Sequence, residues 1–123
     1  MRTQPDNAQA YFALGYSLAD RKVRLDEARE LIKKAMELSP GEPAITDSMG
    51  WVEYRLGNRD EAIKWLREAY QARPDPEIAA HLGEVLWSAG RAEEARRVFR
   101  DARSRDAQND VLRETLARLR VDL

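Results

Sequence analysis

At three nearly evenly spaced places in this chain a large apolar residue is followed directly by glycine: Leu14-Gly15, Met49-Gly50 and Leu82-Gly83. The glycines lie 35 and 33 residues apart. A period near 34 is long enough for two helices and their turns, and too short for a domain. The central copy, residues 47–74, gives the unit in full. Met49 and Gly50 lie on a first helix that ends at Leu56-Gly57. Ala62, Leu66 and Ala69 follow on one face of a second helix, and Pro74 closes the unit. A small-large-small face lets two antiparallel helices approach closely and stack on copies of themselves. Gly57 supplies the left-handed residue that ends a helix. Asn58 is expected to cap the next helix, with Glu61 as its capping-box partner.

The upstream copy is Leu14-Gly15, Ala28, Ile32, Ala35 and Pro40. The downstream copy is Leu82-Gly83, Gly90, Ala95, Phe99 and Ala102. Over nearly its whole length the chain resembles the tetratricopeptide-repeat family, whose pattern is matched by Met49, Gly50, Gly57, Ala62, Leu66, Ala69 and Pro74. The resemblance implies an all-α fold, a right-handed α-α superhelix of three helix pairs plus a C-terminal capping helix. One domain is expected over residues 1–123, with repeats about 8–42, 43–75 and 76–109 and the capping helix about 110–120. Three departures stand out. Thr46 and Glu53 occupy positions where the family usually has large apolar residues, and Ala107 replaces the closing proline of the third repeat.

Along the chain, a first helix is expected from Asn7 to Ala19, with Tyr11, Leu14, Gly15 and Leu18 on one face. The turn at residues 20–25 is one residue longer than its counterparts. Helices follow at about 26–38, 43–57, 59–72, 76–90 and 92–105. Asp75 and Pro76 suit the cap and first position of the fifth. Asn109 suits the cap of the seventh, whose stripe is Leu112, Leu116 and Leu119. That helix lacks the Leu-Gly pair and reads as a cap on the last repeat. The first helix has no such cover, which leaves Tyr11 and Phe12 partly bare and points to further repeats before residue 1.

Charge and composition narrow the function. The net charge is −1 at pH 7, so no strong pull toward nucleic acid or an anionic membrane is expected. The arginines at 96, 97, 100, 103 and 105 stand among acids, and the aromatic between them, Phe99, is expected in the core, the pattern of a solvated outer face. The run from Ala10 to Tyr16 is far too short to span a bilayer. No apolar leader follows Met1. With no cysteine there is no disulfide or thiolate metal site. His81, the single histidine, and Glu84 make too few ligands for a metal and read as an ordinary helix-surface pair. No serine of the first two repeats has a histidine within its repeat to serve as base, and no glycine-rich loop could hold a phosphate. Neither catalysis, a cofactor nor a metal is expected.

The aromatic residues carry the functional signal. Trp65 and Phe99 fall beside the small residues of second helices and are expected in the core. A second set falls on first helices, off the Leu-Gly face. In the family these offsets line the concave side of the superhelix. The implied groove carries Phe12, Tyr16, Trp51, Tyr54 and Trp87, with Asp47, Arg55 and Glu84 beside them. Trp51, Tyr54 and Trp87 would form one apolar strip anchoring a partner protein or peptide, since large rings are frequent interface anchors. The competing reading has the same rings packed between neighbouring first helices, and the repeats serving for stacking or self-association. A closer resemblance rests on residues 13–21, 43–58 and 75–91, ALGYSLADR, PAITDSMGWVEYRLGN and DPEIAAHLGEVLWSAGR. These are similar to the C-terminal repeats of long proteobacterial tetratricopeptide lipoproteins, some of which act as adaptors for a carboxy-terminal-processing protease. That resemblance implies a periplasmic, outer-membrane-anchored protein. A complete chain without a leader would be cytoplasmic.

Overall fold

The computed structural model describes residues 8–123. Seven helices follow one another: α1 (Ala8–Asp20), α2 (Leu25–Leu38), α3 (Pro43–Arg55), α4 (Arg59–Ala72), α5 (Pro76–Ser88), α6 (Ala92–Arg105) and α7 (Asp110–Leu119). The expected start of α1 at Asn7 lies outside the described residues. The other helices begin and end within two residues of the positions read from the sequence. They form three antiparallel pairs, α1/α2, α3/α4 and α5/α6, stacked in a right-handed α-α superhelix and closed by α7.

The Leu-Gly pairs set the closest approach within each helix pair. A Cβ added to Gly50 would stand 2.6 Å from Leu66 Cγ, and one added to Gly15 would stand 2.7 Å from Ile32 Cδ1. At Gly83 the Phe99 ring fills the same space. Each large residue thus lies against bare backbone, flanked by Ala28 and Ala35, Ala62 and Ala69, or Ala95 and Ala102, all buried. The apolar partners of the three glycines touch water least of all: Ile32, Leu66 and Phe99 are fully enclosed. Trp65, expected in the core, is only half-buried. It packs against the edge of the core, because Leu66 rather than Trp65 points at Gly50.

The two departures from the apolar pattern are accommodated by pairing. Glu53 is buried, and Arg29 of α2 grips its carboxylate with two hydrogen bonds of 2.9 and 3.1 Å. Asn58 donates a third, at 2.8 Å. That bond removes Asn58 from its expected role: its side chain caps nothing at the start of α4. A buried carboxylate needs donors more than a helix terminus open to water does. Thr46 is buried with its hydroxyl donating to the carbonyl of Glu42, 3.2 Å away.

The other terminators follow their residue types. Asp75 accepts from the Glu77 amide at 2.7 Å, and Asn109 from the Leu112 amide at 2.9 Å. Gly57 adopts φ +94° and releases the chain from α3. The longer α1/α2 turn has no glycine, and Lys22 and Arg24 take left-handed conformations there.

The first helices α1, α3 and α5 lie side by side, and α7 joins that row by packing mainly against α5. Its Leu112 and Thr115 are buried. At the opposite end, among the described residues, no further helix covers α1. Leu14 is 51% exposed, whereas Met49 and Leu82 at the equivalent positions are each 3% exposed. Those two lie where the second helix of the preceding pair packs against the row, α2 against α3 and α4 against α5. Among the described residues no helix is long and apolar enough to cross a membrane.

The glycine contact gives a direct test. Gly50→Leu forces Leu66 off its site and should cost about 3 kcal/mol, the upper range for overpacking. Gly50→Leu/Leu66→Ala should recover part of the loss. Urea denaturation followed by circular dichroism reads both, and an unchanged midpoint for Gly50→Leu would place the packing face elsewhere.

Candidate functional site

The row of first helices presents a concave surface, and repetition decides what meets there. Residues one period apart lie at equivalent places on adjacent helices. Asp47 on α3 and His81 on α5 are 34 residues apart, and His81 Nδ1 donates to the Asp47 carboxylate at 2.9 Å. Glu84 on α5 and Arg118 on α7 are also 34 apart, joined by bonds of 2.7 and 3.2 Å. Asp47, His81 and Glu84 are all buried. His81 and Glu84 are therefore not an ordinary surface pair. The two share α5, but each turns its polar atoms to a charge on a neighbouring helix, and both leave water.

Rings close over these pairs. The Trp51 ring stacks on the His81 imidazole, with centroids 4.3 Å apart. Tyr16 on α1 reaches across α3, its hydroxyl 3.3 Å from His81 Nε2. Trp51 Nε1 donates to Asp20 at 3.3 Å. The Arg55 guanidinium lies 4.8 Å from the Trp51 ring centre and pairs with Asp20. Arg55 Nε is buried without a hydrogen-bond partner, a cost that the contact with the ring helps offset. Tyr54 donates to Glu84 at 3.3 Å.

The Tyr16–His81 contact divides the concave surface into two hollows. The larger, about 570 Å³, lies between α1, α3, α5 and α7 and includes Tyr16, Asp20, Trp51, Arg55, Glu84 and Arg118 in its walls. The smaller, about 190 Å³, includes Phe12, Tyr16, Asp47, Glu77 and His81. Six of the eight residues expected in a groove, Phe12, Tyr16, Asp47, Trp51, Arg55 and Glu84, are brought together there. Tyr54 and Trp87 line neither hollow. The expected strip of Trp51, Tyr54 and Trp87 is thus not continuous. Trp87 instead lies under Arg96 of α6, at 5.3 Å. Trp51 is 3% exposed, so most of its ring belongs to the core. The curvature of the row brings α5 over it, and His81 takes the face expected to be free.

A family model described as Tetratricopeptide repeat matches residues 1–43 and 48–110. The chain belongs to the tetratricopeptide-repeat family. The TPR repeat-containing protein PA4667 of Pseudomonas aeruginosa is 55% identical over 116 residues, covering 94% of this chain and 20% of that protein. The chain therefore spans about a fifth of that relative. Among solved structures, the thermophilic TPR protein TTC0263 of Thermus thermophilus superposes with a TM-score of 0.82 at 26% identity, over 97% of this chain and 66% of that one. PcrH in complex with the chaperone binding region of PopB gives 0.77 at 19% identity, over 98% of each chain. The first TPR of RPAP3 bound to the HSP90 peptide SRMEEVD gives 0.77 at 16% identity, over 98% of this chain and 95% of that one.

In this tetratricopeptide array Asp20, Glu77, His81, Asp110, Glu114 and Arg118 also line the hollows, although the aromatic pattern of the sequence does not point to them. A legible signal existed for two of them. An acid at 47 and a base at 81, and an acid at 84 and a base at 118, each recur at the repeat period. Asp110 and Glu114 carry no such signal, since α7 reads as a cap on the last repeat, whereas it forms one wall of the larger hollow.

Burial draws the His81 pKa down. The charge and hydrogen bond of Asp47, with Glu84 and Glu77 nearby, outweigh that effect and hold it above the ordinary value of 6.5. Burial, with Asp20 and Asp47 adding to it, keeps the facing Tyr16 phenol protonated far into the alkaline range. The hydrogen bonds to Glu84 and Glu114 likewise raise the pKa of Arg118.

Two tests follow from this geometry. Trp51→Ala should cost about 3–5 kcal/mol, as for a core ring, while half-buried Trp87→Ala should cost clearly less. Thermal melts of the two variants check the order, and equal losses would contradict the burial described here. The second test concerns pH. The folded pKa of His81 lies above the unfolded value, so its contribution is complete below a pH of about 6.5 and fades as pH rises through the folded pKa. The wild-type denaturation midpoint should carry that alkaline loss, and Asp47→Asn/His81→Gln should lack it. Parallel pH curves for the two proteins would show that the pair is not linked to folding.

Proposed function

We propose that this tetratricopeptide array is a non-catalytic protein-interaction module, an adaptor that seats a peptide or helix of a partner protein in its concave groove. One observation carries the reading. The first helices leave two adjoining hollows along the concave surface, and the aromatic rings of Phe12, Tyr16 and Trp51 form part of their walls. A concave site with a few rings and fixed polar groups suits an extended or helical segment. The folds of PcrH with a region of PopB, and of RPAP3 with an HSP90 peptide, support it by likeness of architecture. The resemblance to lipoprotein repeats names one class of partner, a carboxy-terminal-processing protease.

A second reading rests on Leu14, which is 51% exposed where its counterparts are covered. In that reading α1 receives the second helix of another repeat or of another copy, and the array serves to stack.

Phe12→Ala and Tyr16→Ala separate the two, since both change the hollows and neither removes Leu14. Affinity purification on the immobilised chain, followed by titration of the captured protein, should show binding weakened roughly 30-fold or more by an anchor's loss, about 2 kcal/mol. Leu14→Asp should leave it intact. Capture that survives both groove variants but falls with Leu14→Asp, together with concentration-dependent sedimentation of the wild type, would favour stacking.

A further inference from the structure

The groove carries a charge pattern that the chain as a whole does not. Over the full sequence acids and bases nearly balance, at a net −1. The larger hollow holds Asp20, Glu84, Asp110 and Glu114 against Arg55 and Arg118. The smaller holds Asp47, Asp75 and Glu77 against Arg73. His81 lines both.

Every one of those bases is already committed to an acid of the chain. Arg55 lies 3.5 Å from Asp20, and Arg73 lies 3.0 Å from Glu42. Arg118 is held by Glu84 at 2.7 Å and Glu114 at 2.8 Å, and His81 by Asp47 at 2.9 Å. The surplus is acidic. Glu77 and Asp110 are exposed, and neither they nor Asp75 make a salt bridge among the described residues. Asp75 spends one carboxylate oxygen on the Glu77 amide and keeps the other. The free acids stand at both ends of the groove, with Asp110 in one hollow and Asp75 and Glu77 in the other. Between them lies the aromatic bridge of Tyr16 and His81 over Trp51.

We infer that the groove selects a basic partner segment, with lysine or arginine side chains on either side of an apolar residue seated at the Tyr16–His81 contact. This rests on the groove being the binding site. A concave surface with an excess of one charge focuses the field of its surplus acids, and complementary charge then sets which segments are admitted and how fast they arrive. An acidic segment would find no uncommitted cation in either hollow. The arginines exposed on α6 are no substitute, because they lie on the second helices and line neither hollow.

Selection of a random peptide phage library on the immobilised full chain tests this without knowledge of the natural partner. Enriched peptides should carry net positive charge. Synthesised and labelled, they should bind less tightly as salt rises, and should weaken about tenfold with Glu77→Gln/Asp110→Asn, the scale of two exposed ion pairs. Both positions are exposed, and circular dichroism would verify that the variant folds. The acidic peptide SRMEEVD serves as comparator and should show no binding at the same concentrations. Enriched peptides that are neutral or acidic, yet lost with Phe12→Ala or Tyr16→Ala, would overturn the charge inference and leave the groove reading standing. Peptides indifferent to both sets of variants, or a selection that enriches nothing, would overturn both.

Discussion

The structure depends on bare backbone meeting a large side chain. Gly15, Gly50 and Gly83 have no Cβ where Ile32, Leu66 and Phe99 arrive. Without that clearance the helices of each pair would stand further apart and the alanines beside each large residue would lose contact. Protein interiors tolerate such gaps poorly. Because the contact recurs three times at one period, it also sets the pitch of the stack. The concave row of first helices is a consequence of it.

Once that row exists, equivalent positions of neighbouring repeats are brought side by side. The polar residues there leave water and must find partners. Asp47 takes His81, Glu84 takes Arg118, and Glu53, which faces the preceding pair, takes Arg29. Such pairs add little net stability over apolar packing of the same volume, but losing one partner is expensive. Their contribution is to fix neighbours in register: an acid at 47 can be satisfied only if position 81 lies directly across from it. The rings of Tyr16 and Trp51 then shield the pair from solvent and draw α1, α3 and α5 into one inner wall.

That wall gives the groove its character. In the RPAP3 structure a tetratricopeptide fold holds the acidic HSP90 peptide SRMEEVD. In this chain the groove bases are consumed by internal acids and carboxylates are left over. The fold is set by small and large apolar residues, while the charge of the groove is set by the polar positions between them. The C-terminal helix has two roles at once. Leu112 and Thr115 cover the end of the core, while Asp110, Glu114 and Arg118 extend the inner wall.

The sequence by itself determined the helix pairs, their order and nearly all their boundaries, because glycine, alanine and proline act on backbone within a few residues of where they stand. It also marked Phe12, Tyr16, Asp47, Trp51, Arg55 and Glu84 as belonging to one surface, since the repeat fixes which face each occupies. Only the tertiary structure decided how that surface closes. Whether Trp51 is an open anchor or half of a stack on His81 depends on the curvature between α3 and α5, which no local pattern encodes. Asn58 was readable as a cap until a buried carboxylate at Glu53 competed for its amide. Trp87 shares the repeat position of Tyr54, yet lies against Arg96 of α6. Neighbours in space, distant in sequence, settled each of these, because burial and charge pairing are properties of the packed helices together.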